Sequence, residues 1–184
     1  MVDPFPAWSR RLRASDPTAC TEVFNAMHTP LLRYALQQTR EKATAYDVVQ
    51  EAFIKLWQVR ETLDPERSMK ALLYRIVRNL SLNDHRMKRH KPIEQTALSV
   101  PDPAVASTPE EVFDAEVLGT HLRRWIDALP PRRREAFQLS RFEGLSHQEI
   151  AQVMNLTPRT VTNHIMLALQ HLRDRLHAFQ ASGA

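Results

Sequence analysis

At three points in this 184-residue chain a helix-capping side chain followed at once by proline stands at the head of an apolar helical pattern: Asp16-Pro17, Thr108-Pro109 and Thr157-Pro158. Proline lacks the N–H that a helix interior needs, and its ring fixes φ near the helical value, so it belongs in a first turn. Each pair therefore marks a helix start and opposes a helix running across it. Pro130-Pro131 ends one helical pattern and opens the next in the same way. Against these starts stand only three glycines, too few for the tight hairpins of a β-fold. Leu, Ala, Arg, Gln and Glu, the good helix formers, are plentiful. The expected fold class is all-α, and 43% hydrophobic residues suffice for one large or two small cores.

The single cysteine, Cys20, can form neither an internal disulfide nor a cysteine-rich zinc site, so nothing asks for an oxidising compartment. The N-terminus, MVDPFPAWSRRLR, carries charges and prolines where a signal peptide needs an apolar core. No run approaches the roughly 20 apolar residues of a membrane span. A cytoplasmic protein without membrane insertion is expected. Its net charge of +4 and pI near 9.6 favour a polyanionic partner, but only the distribution of charge gives this weight.

Residues 67–91 hold eight Lys and Arg against one acid, and residues 92–120 hold none against six. The acidic stretch begins PIEQTALSVPDPAVASTPEE, with prolines and small residues in place of apolar periodicity. Residues 92–107 are therefore expected to be a flexible linker between two small helical domains, 1–91 and 108–184.

In the first domain, Asp16-Pro17 opens a helix that His28-Thr29-Pro30 is expected to interrupt, with a second helix from Pro30 to about Thr39. Thr44 with Asp47 resembles a capping box for a third helix, whose apolar stripe is Val49, Phe53, Leu56 and Trp57. Asp47 and Glu51 lie near its start, where the helix dipole favours acids. After ETLDPER, Ser68 can cap a fourth helix with Leu72, Leu73, Ile76, Val77 and Leu80 inward. Its other face brings Arg75, Arg78, Asn79, Leu82 and Arg86 to one side, with Lys88, Arg89 and Lys91 beyond. A solvated helix face is the plain reading of such a run. Eight charges against one exceed what solubility needs and suit a surface that tracks phosphates.

The second domain opens with Thr108-Pro109-Glu110-Glu111, and Leu118, Leu122, Trp125, Ile126 and Leu129 form its first expected buried stripe. The next helix carries Arg132, Arg133 and Arg134 before Ala136, Phe137 and Leu139, and stops near Gly144. LSHQEIAQVMNLTPRTVTNHI follows, from Leu145 to Ile165. Ser146 and Glu149 form a capping box, Asn155 sits where a helix end wants a left-handed residue, and Thr157-Pro158 starts again. Thr157, Arg159, Thr160, Thr162 and Asn163 then occupy the exposed start of the second helix. Such a helix-turn-helix suits the major groove, where Arg can bond guanine and Asn adenine, each through two hydrogen bonds. An ordinary αα-hairpin is the alternative.

Taken together, YDVVQEAFIKLWQ, ALLYRIVRNLSLNDHRMK and the stretch from LPPRRREAF to LQHLRDRL resemble the extracytoplasmic-function (ECF) sigma factors of bacterial RNA polymerase. The resemblance implies sigma region 2 in the first domain and region 4, with its C-terminal helix-turn-helix, in the second. It further implies that Asp47, Val48, Val49, Gln50 and Glu51 meet the clamp coiled coil of the polymerase's largest subunit. The loop Thr62 to Ser68, with Arg75, Arg78, Asn79, Arg86 and Lys88, would recognise the minus-10 element of promoter DNA. Such a role needs cations along a single strand and a pocket for an unstacked base. The helix-turn-helix would read the minus-35 duplex and rest on the flap of the second-largest subunit. An anti-sigma factor is a usual partner of the family. The segment before Asp16 matches no part of this pattern.

The chief alternative is a LuxR-like activator, which shares LSxxEIAxxM followed by TV, but it would need a sensor or receiver domain where residues 16–91 show only helical periods. For an enzyme the chain has no triad and no glycine-rich phosphate loop, and its histidines are scattered. No catalytic residue, metal site or cofactor is expected. His164 and His171 lie seven apart on one helix and read as surface or packing residues.

Overall fold

The computed structural model describes residues 3–88 and 109–182, with side chains described over 3–84 and 118–181. Among these residues every regular element is helical. The chain divides into two compact units, the first holding α1 to α4 and the second built on α5 to α8. The proposed linker at 92–107, the cap Thr108, and Arg89 and Lys91 lie outside the described residues.

In the first unit α1 (Phe5–Arg13) and α2 (Pro17–Thr39) are followed by α3 (Lys42–Gln58), a 3-10 turn (Arg60–Thr62) and α4 (Met69–Lys88). Asp16 caps α2 as expected, its Oδ1 accepting from the Thr18 N–H at 2.8 Å. The expected break at Pro30 does not occur: α2 runs unbroken through it. An interior proline removes one backbone hydrogen bond and crowds the preceding turn, at about 3 kcal/mol. Offsetting this, Ala19, Val23, Met27, Leu31, Tyr34 and Ala35 form one buried stripe on both sides of it. Burial on that scale outweighs a single unfavourable residue.

α3 starts two residues before the expected capping box, with Glu41 as its cap. Thr44 is instead a buried first-turn residue whose hydroxyl donates to Glu41 Oε2 at 2.6 Å. Asp47 consequently sits beyond the first turn, where the dipole's pull has faded. Ser68 does cap α4, accepting from the Ala71 N–H at 3.1 Å. The inward face of α4 is rotated from expectation: Leu73, Tyr74, Val77 and Ser81 are fully buried, while Leu72, Ile76 and Leu80 are half-buried flanks. Tyr74 packs edge-on against Tyr34, ring centroids 5.2 Å apart, and this contact between α2 and α4 sets the rotation.

The second unit takes in α5 (Pro109–Asp127), α6 (Pro131–Arg141), α7 (His147–Met154) as far as Ala151, and α8 (Pro158–Ser182). Ile126, Leu129, Phe137, Ala168 and Leu172 form its core, with Trp125 and Leu169 at the margin. Leu118 and Leu122, expected inside, are exposed at 38% and 41%. The stripe that meets α8 is His121, Trp125, Ile126 and Leu129, for the His121 ring lies 4.6 Å from Phe179 near the end of α8. Arg134 donates to the carbonyls of Asp127 and Leu129, tying the start of α6 to the orphan end of α5.

Candidate functional site

α6 ends at Arg141, and Gly144 at φ +64° turns the chain so that the Leu145 N–H donates to the Leu139 carbonyl at 3.0 Å. Glycine takes that left-handed conformation without penalty. Ser146 then closes a reciprocal capping box: its backbone N–H donates to Glu149 Oε2 at 2.7 Å, and its Oγ accepts from the Glu149 N–H at 3.3 Å. Asn155 is left-handed at φ 53°, ψ 54°, and ends α7 as the sequence suggests. Leu156 returns its N–H to the Ala151 carbonyl at 3.0 Å. Thr157 caps α8 through the Thr160 N–H at 3.2 Å. The helix-turn-helix is thus fixed locally at every joint, with Ile150, Val161, Ile165 and Ala168 buried beneath it.

The five residues singled out on this second helix divide into two groups. Thr157, Thr160 and Thr162 are engaged within the protein: Thr157 and Thr160 share a 2.9 Å hydroxyl contact, and Thr162 Oγ1 donates to the Pro158 carbonyl at 3.0 Å. Because that hydroxyl proton is committed, the 2.9 Å contact between Thr162 Oγ1 and His147 Nδ1 has the imidazole N–H donating. His147, which the sequence reading did not single out, thereby links the start of α7 to α8. Arg159 and Asn163, one turn apart, are exposed. They are the long polar side chains that face outward from the start of α8.

In the first unit Arg75, Asn79 and Leu82 form an exposed strip along α4, and Arg78 is half-buried beside it. The backbone of Arg86 and Lys88 continues α4, while their side chains lie outside the described residues. Tyr74 is fully buried and offers no surface for stacking. Trp57, expected in the core, is half-buried beneath the Arg60 guanidinium, 4.6 Å from its ring centroid.

On α3, Asp47, Gln50 and Glu51 point outward, and Glu51 pairs with Lys55 at 3.4 Å. Val48 and Val49 are exposed by only 6% and 1%. They face the core and hold the helix in place, leaving Asp47, Gln50 and Glu51 as the exposed members of the five singled out from sequence. A groove of about 640 Å³ runs between α2 and α3, lined by Phe24, His28, Tyr46, Gln50, Ile54 and Trp57 among others. Phe24, Tyr46 and Ile54 are each more than 40% exposed. The sequence reading missed them, although Tyr46, Gln50 and Ile54 at spacings of four give a second, outward stripe beside Asp47 and Glu51.

The segment before Asp16, unassigned from sequence, is α1. Arg11 donates to Asp16 Oδ2 and Glu22 Oε1, both at 2.8 Å, and Trp8 Nε1 donates to Glu22 Oε2 at 2.7 Å. The Thr18 hydroxyl and the Arg11 guanidinium hold the Asp16 carboxyl down at about 2. Glu22 is lowered in the same way, by Arg11 and then Trp8. Burial pushes the Cys20 thiol up, which suits a packed thiol better than a reactive one.

Among the described residues no group of His, Cys, Asp and Glu is placed to hold a metal ion. None of their helices is long and apolar enough to cross a membrane.

Comparison with known proteins matches each unit separately. The Sigma-70 region 2 family model covers residues 23–91, and the Sigma-70 region 4 model covers residues 120–172. The chain is 31% identical over 161 residues to the ECF RNA polymerase sigma factor SigL of Mycobacterium tuberculosis, spanning 87% of this chain and 90% of that protein. It is 32% identical over 149 residues to SigE of Mycolicibacterium smegmatis, covering 78% of this chain and 56% of that longer protein. The fold is shared with CnrH, solved in complex with the cytosolic domain of CnrY: TM-score 0.66, 21% identity, 96% of this chain and 99% of that one. The sigma factor RpoE, solved with the anti-sigma factor NepR from Bartonella quintana, gives 0.65, 17%, 85% and 96%. A region 2 match where a LuxR-like activator needs a sensor disfavours that alternative. With both sigma regions present and a relative matched over nearly its whole length, the chain belongs to the ECF RNA polymerase sigma factors, factors of promoter-specific transcription initiation.

Proposed function

We propose that this chain grips a promoter at two points while bound to core RNA polymerase. The helix-turn-helix reads the minus-35 duplex, with Arg159 and Asn163 meeting base edges and Thr157, Thr160 and Thr162 orienting them. The observation that carries this reading is the exposure of Arg159 and Asn163, one turn apart, on a helix start whose other polar side chains are internally committed. Arg75, Arg78 and Asn79 face the minus-10 element as its strands separate, beside the loop Thr62 to Ser68. Arg86 and Lys88 extend that surface in sequence.

Asp47, Gln50 and Glu51, with the apolar groove beside them, dock on the clamp coiled coil of the largest polymerase subunit. Acidic and amide groups flanking an apolar seat suit a helical partner with basic flanks. The second unit rests on the flap of the second-largest subunit, and residues 92–107 connect the two. A cytoplasmic, non-enzymatic protein held in check by an anti-sigma factor completes the reading, supported by the complex described for RpoE.

Run-off transcription with purified core enzyme tests the proposal. Addition of this chain should switch on initiation at a subset of promoters in a genomic library. No stimulation at any of them refutes it. The isolated chain should bind the same duplexes poorly, because two weak contacts made by separate units gain little from each other until the polymerase fixes their spacing.

A further inference from the structure

The helix α1 precedes the region 2 match, which begins at residue 23, yet it packs against the 3-10 turn and against α4, the two elements that bound the loop Thr62 to Ser68. At the entry to the loop, Arg60 Nε donates to Ser15 Oγ at 2.9 Å and Nη1 to the Trp57 carbonyl at 3.0 Å, while the guanidinium lies over the Trp57 ring. At the exit, Ser9, fully buried on α1, donates weakly to the sulfur of Met69 at 3.8 Å, and Met69 is the first residue of α4. Leu12 and Leu63 are buried as well. Between these anchors the loop folds on itself, with the Arg67 N–H donating to the Asp64 carbonyl at 3.0 Å, and it exposes Asp64, Glu66 and Arg67.

A short loop tied at both ends to a third element takes its position from that element. We propose that α1 and the Ser15–Arg60 contact are positioning elements for minus-10 recognition, so that promoter selectivity depends on a segment upstream of region 2. This inference rests on the reading of the loop Thr62 to Ser68 as part of the minus-10 surface. Arg60 acts through the loop: its fork is occupied by Ser15, Trp57 and Glu61, leaving little of it for DNA.

The test uses reconstituted holoenzyme and measures open complexes on a cognate promoter and on promoters with single minus-10 substitutions, with core affinity measured in parallel. The ratio of cognate to substituted is the readout, because a smaller amount of folded protein lowers both alike. Ser15→Gly removes the hydroxyl while preserving the backbone, since Ser15 has φ 57° and glycine accepts that conformation freely. Ser15→Gly and Arg60→Ala should each reduce the ratio about fivefold, the order of one lost hydrogen bond, and together no more than Arg60→Ala alone. Core affinity should hold. An unchanged ratio, or an equal fall on every promoter together with core affinity, overturns the proposal. Glu66→Ala with Arg67→Ala, at the loop's exposed tip, separates the two layers. If that pair leaves the ratio untouched, the loop is no reader and both readings fall; if it shifts the ratio while Ser15→Gly does not, the positioning role alone falls.

Discussion

Replacing Pro30 by alanine should stabilise the first unit, because α2 runs unbroken through a residue that helices exclude from their interiors. Proline there is about 3 kcal/mol less favourable than alanine. Two terms oppose the gain. The proline stiffens the unfolded chain, worth about 0.4–1 kcal/mol in its favour. Its ring is also half-buried, and losing two partly buried methylenes costs on the order of 1 kcal/mol. The balance is a gain of about 1 kcal/mol, or roughly 4–8 °C in the melting of a unit this size. Far-UV circular dichroism during urea unfolding, resolved into a transition for each unit, measures it. A local check comes from amide exchange: the N–H introduced at position 30 faces the Ala26 carbonyl and should be protected as strongly as its neighbours in α2. An amide exchanging freely there, or a midpoint that falls, would mean that the ring contributes packing that the continuous helix does not reveal.

Arg159→Ala or Asn163→Ala should weaken discrimination at the upstream element by about 1–3 kcal/mol for a lost two-bond base contact; equal losses on every upstream sequence would reduce them to phosphate contacts. Asp16, held near 2 against an ordinary 3.8, contributes stability that is full above the ordinary value and lost as pH falls through the folded one. Asp16→Asn keeps an acceptor for the cap, so its deficit in urea midpoint should be present at pH 7, shrink as pH falls below about 4 and vanish only below about 2; a deficit constant across that range would put the effect in packing. Arg134→Met should destabilise the second unit by about 1–2 kcal/mol, because it leaves the Asp127 and Leu129 carbonyls without their charged donor, and calorimetry in which that transition does not move would refute the tie.

The helix starts at Pro17, Pro109, Pro131 and Pro158, the capping box at Ser146 and the left-handed stop at Asn155 were all legible from the chain. Their causes are local: a missing N–H, a side-chain oxygen three residues from its donor, a residue tolerant of positive φ. The outward placement of Arg159 and Asn163 followed from helical periodicity alone. What sequence could not decide was every feature fixed by a partner distant in the chain. Pro30 stays helical because residues on both sides of it are buried together. Tyr74 turns inward because Tyr34 meets it, and so shifts the buried face of α4 from the one that hydropathy suggests. Leu118 and Leu122 are left outside because α8 reaches α5 at His121 and Trp125. Val48 and Val49 serve the core, and the outward face of α3 is left to Asp47, Gln50 and Glu51 with Tyr46 and Ile54. Local chemistry sets where helices begin and end, while packing between them selects which of two plausible faces is buried, because the free energy of burying a stripe exceeds any single residue's preference.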